Sequence, residues 1–92
     1  MQPTLVVFES RRSGPCRKVD GLIAQVLASR SRRAALRLLR VPVEERPDLA
    51  ERFAVGAVPT LVVVHERRVR ARLEQPTALG EIESFLGPFF PA

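Results

Sequence analysis

Apolar runs and amphipathic stretches alternate along the chain. Thr4 to Phe8 is β-branched and aromatic and apolar without a break, the pattern of a strand covered on both faces and therefore central in its sheet. After a loop from Glu9 to Arg12, Ser13 is placed to cap a helix, and Pro15 falls in the first turn, where its missing N–H costs nothing. That helix should run to Ala28 or Ser29. Val19, Leu22, Ile23, Val26 and Leu27 recur at helical spacing and form one inward stripe. Cys16, three residues before Val19, lies on the same stripe.

Arg30 to Arg33 reads as a basic loop, and Leu36 to Val43 as a second strand with Leu36, Leu38, Leu39, Val41 and Val43 as its apolar positions. A strand, a helix and a strand make a βαβ unit, with a right-handed crossover and parallel strands. Pro47 opens a short helix with Asp48 in its first turn, where the helix dipole favours a negative charge. Its inward residues are Leu49, Ala50 and Phe53, and its end falls near Ala54 or Val55. Gly56 to Thr60 is a turn into the apolar strand Leu61 to Val64, and Glu66-Arg67 closes a tight hairpin into Arg68 to Leu73. There Val69, Ala71 and Leu73 alternate with Arg68, Arg70 and Arg72, predicting one covered and one wet face. Pro76-Thr77 starts a last helix, with Thr77 as its cap and Leu79, Ile82, Phe85 and Leu86 as its apolar side. Gly87-Pro88 stops it. Phe89 and Phe90 then either tuck against that helix or face another chain, and tucking is preferred.

The expected fold class is α/β, a four-stranded mixed sheet flanked by helices in the order β-α-β-α-β-β-α. With 92 residues and neither repeat nor linker, residues 1–92 are expected to form a single domain, burying about 60 to 70% of the surface an unfolded chain exposes. At 46% hydrophobic and 27% charged, composition suggests neither disorder nor a membrane span. The longest apolar runs are far shorter than the ~20 residues that cross a bilayer, and no signal-peptide pattern opens the sequence. A cytoplasmic protein without membrane attachment is expected, as a monomer or weak dimer.

Charge and cysteine content narrow the chemistry. The net charge is +5, with every basic residue an arginine except Lys18. This is read as solvated surface more than as a nucleic-acid footprint, because none of the five phenylalanines sits in a basic stretch as a stacking platform would. The row Arg68, Arg70 and Arg72 fits an edge strand guarded against aggregation better than an anion site. His65 has no Cys or acidic cluster at ligand spacing, so no metal is expected. Cys16 is the single cysteine, so any disulfide must involve a second molecule.

Three landmarks in order carry a family resemblance. They are the apolar strand ending in Phe8 before Ser13-Gly14-Pro15-Cys16, the stretch Val43 to Phe53, and Val55-Gly56-Ala57-Val58-Pro59-Thr60-Leu61. On these the chain resembles the thioredoxin family over nearly its whole length, as a minimal four-stranded version without the N-terminal strand and helix of full-length members. The resemblance implies a cis Val58-Pro59 bond opposite the active-site turn, its backbone edge pairing with an extended substrate chain. It also implies thiol redox homeostasis, acting on a protein disulfide or thiol partner.

At four positions the sequence departs from the family pattern. Ser13 stands where the attacking cysteine belongs, and a hydroxyl cannot form a disulfide, so the two-cysteine cycle cannot run within this chain. Arg12 replaces the usual tryptophan, Val7 stands near the place of the buried acid, and Gln75 near that of a late glycine. Cys16 remains, in the resolving position. Burial on its apolar stripe opposes ionisation, whereas the first helical turn and Arg11, Arg12, Arg17 and Lys18 favour it. Cys16 and Ser13 are the candidate catalytic residues, and Arg12, Gly14, Pro15, Val58 and Pro59 the candidate substrate-binding residues. No cofactor is expected, although turnover would need an external thiol such as glutathione. Ser13 and the N–H groups after it could instead hold a phosphate or carboxylate, but a simple helix cap is the preferred reading. The alternative to a monothiol oxidoreductase is a non-catalytic module binding extended peptide beside Pro59.

Overall fold

The computed structural model describes residues 2–29 and 36–90. The loop expected at Arg30 to Arg33 lies outside the described residues. Four strands, β1 (Thr4–Glu9), β2 (Arg37–Pro42), β3 (Thr60–His65) and β4 (Arg68–Glu74), form one sheet in the order β2-β1-β3-β4. β1 pairs in parallel with β2 and antiparallel with β3, and β3 pairs antiparallel with β4. The helices are α1 (Gly14–Ser29), α2 (Pro47–Arg52) and α3 (Leu79–Leu86), the last running into a 3-10 turn over Gly87–Phe89. Among the described residues no helix is long and apolar enough to cross a membrane.

The unbroken apolar runs become the two central strands, because only there are both faces of a strand covered. Leu5, Val7, Leu61 and Val63 face one side and pack with Val19, Ile23 and Val26 of α1, Ile82 and Leu86 of α3, and Phe90. Phe90 and Phe89 therefore tuck against the core, as expected. Val6, Phe8, Val41 and Val62 face the other side, where Leu49 of α2 and Phe53, just past its end, cover them. Phe8 and Phe53 meet with ring centroids 5.4 Å apart at 48°.

Several local expectations are corrected. β2 is an edge strand, and Leu39 is 50% exposed there. α2 ends at Arg52 because Ala54 turns into the left-handed region with φ 54°. The cap of α3 is Ala78, not Thr77. In place of a capping hydroxyl, the Glu81 carboxylate reaches back to accept the N–H groups of Thr77 at 2.9 Å and Ala78 at 3.1 Å.

The largest correction concerns β4. Val63 pairs with Ala71 but Val64 pairs with Val69, so Arg70 is an extra residue in a β-bulge. Upstream of the bulge every β4 side chain changes face relative to strict alternation. Ala71 and Leu73 keep the expected α1 and α3 side, while Val69 joins Val64 and Arg72 on the α2 side and is 54% exposed. The Glu66-Arg67 hairpin forms as expected, with both residues at positive φ (53° and 65°), the geometry that matches the twist of paired strands.

Candidate functional site

β1 delivers the chain to the site. Beyond Glu9, the Ser13 N–H donates to the Ser10 carbonyl at 3.2 Å, which folds the loop back before α1 begins. Ser13 then caps the helix: its Oγ accepts the Cys16 N–H at 3.2 Å, one of the first-turn donors that has no partner within a helix. The hydroxyl of Ser13 thus has a structural task. Gly14 and Pro15 are exposed in the first turn. A Cβ on Gly14 would meet only the Arg17 guanidinium at 3.7 Å, so the turn does not demand glycine.

Cys16 is 5% exposed, on the same face of α1 as Val19, Ile23 and Val26. Its Sγ accepts the Ser10 N–H at 3.4 Å. The loop holding that N–H is itself braced. Ser10 Oγ donates to Glu44 at 2.5 Å, and Arg11 pairs with Glu45 at 2.5 Å, tying the turn before α1 to the connection between β2 and α2. The hydroxyl of Ser10, aided by the nearby positive charge of Arg12, holds the Glu44 carboxyl below its ordinary range. Arg12 is exposed at the rim.

Phe8 pairs with Thr60, so Pro59 stands at the same end of the sheet as the loop carrying Ser13. The Val58–Pro59 bond is cis, Pro59 is buried and Val58 half-buried. The Pro59 carbonyl accepts the Gln75 N–H at 2.8 Å, and Gln75 holds φ 47°, a conformation a glycine would adopt without strain. Among the described residues none hydrogen-bonds to the Val58 backbone, which leaves that edge open to an extended chain.

The expected residues therefore separate into two groups. Arg12, Ser13, Gly14, Pro15, Val58 and Pro59 gather at one end of the sheet around the turn. The sulfur of Cys16 opens instead onto a small cavity of about 130 Å³ also lined by Glu9, Ser10, Arg11, Arg17, Asp20 and Arg40. Asp20 and Arg40 form an ion pair across it at 2.6 Å. Neither was singled out from sequence. Asp20 could have been, since it follows Cys16 by one helical turn, whereas Arg40 arrives only through the pairing of β2 with β1. Val7, near which the resemblance would place a buried acid, is buried and apolar, and the carboxylates that share a cavity with the sulfur are Glu9 and Asp20. Among the described residues no cluster of His, Cys, Asp or Glu could hold a metal ion.

The family model for thioredoxin matches residues 1–87. No curated protein matches significantly. Among solved structures, the chain is similar to the germline-specific thioredoxin Deadhead of Drosophila melanogaster, at 18% identity and TM-score 0.83 over 95% of this chain and 80% of that one. It is also similar to a thioredoxin from Nicotiana alata, at 21% identity and TM-score 0.84 over 98% and 75% of the two chains. A malarial protein matches at 15% identity and TM-score 0.80 over 97% of this chain and 98% of its own. At such identities these likenesses show the thioredoxin-like α/β fold and no finer activity.

Proposed function

The chain belongs to the thioredoxin family, whose fold suggests thiol redox chemistry in general, and from that premise we propose that it works as a monothiol oxidoreductase through Cys16. The observation that carries this reading is the placement of the sulfur. It accepts an N–H from Ser10, and it borders a cavity lined by Arg11, Arg17 and Arg40 together with the carboxylates of Glu9 and Asp20. Its partners are a protein or small-molecule disulfide and an external thiol.

In the proposed cycle the Cys16 thiolate attacks one sulfur of a disulfide. A Cys16 mixed disulfide forms as the old S–S bond breaks, and the other half leaves as a thiolate. An external thiolate then attacks the mixed disulfide, releasing Cys16 and a new disulfide, so the protein ends in its starting redox state. Glutathione fits this role through a carboxylate on Arg17, which pairs with no carboxylate among the described residues, whereas Arg11 and Arg40 are engaged by Glu45 and Asp20. Ser13 contributes by fixing the helix start that holds Cys16, and the open Val58 edge receives an extended substrate.

The test is incubation of the folded protein with oxidised glutathione. One added glutathione per chain, removed again by reduced glutathione and absent from Cys16→Ala, is the expected result. Native protein that stays unmodified while urea-unfolded protein reacts would contradict it.

A second reading is favoured by the near-complete burial of Cys16 together with the free Val58 backbone. In it the chain binds extended peptide beside Pro59 without chemistry. Cys16→Ala distinguishes the two, since this module would keep its ligand.

A further inference from the structure

On the α2 face of the sheet, at the end away from Cys16, the structure carries a groove that the chemistry above does not use. Val64 pairs with Thr4 at the start of β1, whereas the site grows from the end of β1 after Glu9, so the two lie at opposite ends of the sheet. Cys16 packs on the other face, with α1. The six residues of α2 cover Phe8, Val41 and Val62 but stop short of the β3–β4 hairpin. Between them lies an open groove of about 610 Å³.

Its floor is Phe53, Val64 and Val69, and its rim is Arg52, Arg67 and Arg72. The bulge at Arg70 makes the floor. Without it Val69 would sit with Ala71 on the covered side, and the groove would lose its most exposed apolar side chain. The walls are set in advance. Arg72 donates to the Phe53 carbonyl at 2.5 Å and the Ala54 carbonyl at 2.7 Å, and so ties the end of α2 to β4.

Arginines and carboxylates are not balanced around the groove. Arg72 has Glu74 at 3.8 Å, and the Glu66 carboxylate is taken by Arg70 at 3.4 Å. Arg52 and Arg67 pair with no carboxylate among the described residues. An apolar floor between unpaired cations needs an apolar group flanked by negative charge.

We propose that this groove docks an acidic segment of another protein, with an aliphatic or aromatic side chain on Val64 and Val69 and flanking carboxylates on Arg52 and Arg67. A second copy of this chain is a poor occupant, because it would set the same arginines against each other on a molecule already carrying +5. Nucleic acid would meet a single ring in the floor, Phe53, half-buried and already packed against Phe8, which is short of the row of stacking platforms that binds bases.

The test uses a fluorescein-labelled peptide of two adjacent leucines between glutamates, with a peptide carrying lysines in place of the glutamates as control. Fluorescence anisotropy should show saturable binding of the acidic peptide alone, weakening as salt is raised from about 50 to 500 mM. Val69→Glu should weaken it by about tenfold or more and Arg52→Glu by about threefold, while Cys16→Ala leaves it unchanged. Both altered side chains are exposed, and circular dichroism confirms that the variants fold. Equal binding of the two peptides, unchanged affinity in Val69→Glu, loss of binding in Cys16→Ala, or stronger displacement by single-stranded DNA than by unlabelled peptide would each overturn the proposal.

Discussion

The Oγ of Ser13 accepts the backbone N–H of Cys16 at 3.2 Å, so this serine caps the helix start that carries the single thiol. Ser13→Cys tests both halves of this relationship. Two thiols would then stand three residues apart across the first turn, the arrangement that the family closes into a disulfide. Thiol titration should count two groups after reduction and none after mild oxidation. Thiols are poor caps, so the reduced variant should be less stable than the parent by about 1 kcal/mol in urea unfolding.

Gln75 is held at φ 47° while its N–H bonds to Pro59. A side chain in the left-handed region costs about 1 kcal/mol or somewhat more, and glycine avoids that cost at the expense of a more flexible unfolded chain. Gln75→Gly should therefore stabilise the protein by about 0.5 to 1 kcal/mol, a rise in Tm of roughly 2 to 8 °C. Thermal unfolding followed by circular dichroism measures it.

The Glu81 carboxyl is held below its ordinary value, first by the Thr77 N–H and further by the Thr77 hydroxyl and the Ala78 N–H, so it should give the start of α3 a pH dependence. A carboxyl whose folded value is depressed stabilises above its unfolded value of about 4.3 and loses that stabilisation as pH falls through the folded one. Glu81→Gln should be less stable than the parent at pH 7, with the gap closing below about pH 4. Urea midpoints at pH 7 and pH 3 supply the comparison.

The parts of this molecule written in contiguous residues were legible before the structure. Leu5 to Phe8 and Leu61 to Val64 are apolar at every position, and only a doubly covered strand buries such a run, so β1 and β3 came out central. Cys16 shares its helical phase with Val19, and its burial followed. What depends on register was not legible. The alternation from Arg68 to Leu73 reads the same with or without an inserted residue, because the bulge is defined by which partner Val64 chooses. The exposure of Leu39 follows from β2 lying at the edge, which its own sequence does not state. The cavity beside Cys16 joins Asp20 to Arg40 across twenty residues, and only the parallel pairing of β1 with β2 brings them together. The capping role of Glu81 did have a local signal, a glutamate three residues after Ala78, hidden by the better capping chemistry of Thr77.

The central claim is that Cys16, though buried, is a working thiol. The most direct measurement is its rate of reaction with an aromatic disulfide probe across pH, in the folded protein and in urea. The monothiol account predicts that the folded protein reacts at or below neutral pH at least as fast as the unfolded chain. A thiol that stays inert in the folded protein, reacting only as fast as the chain unfolds, would contradict the account and leave the fold as a binding scaffold.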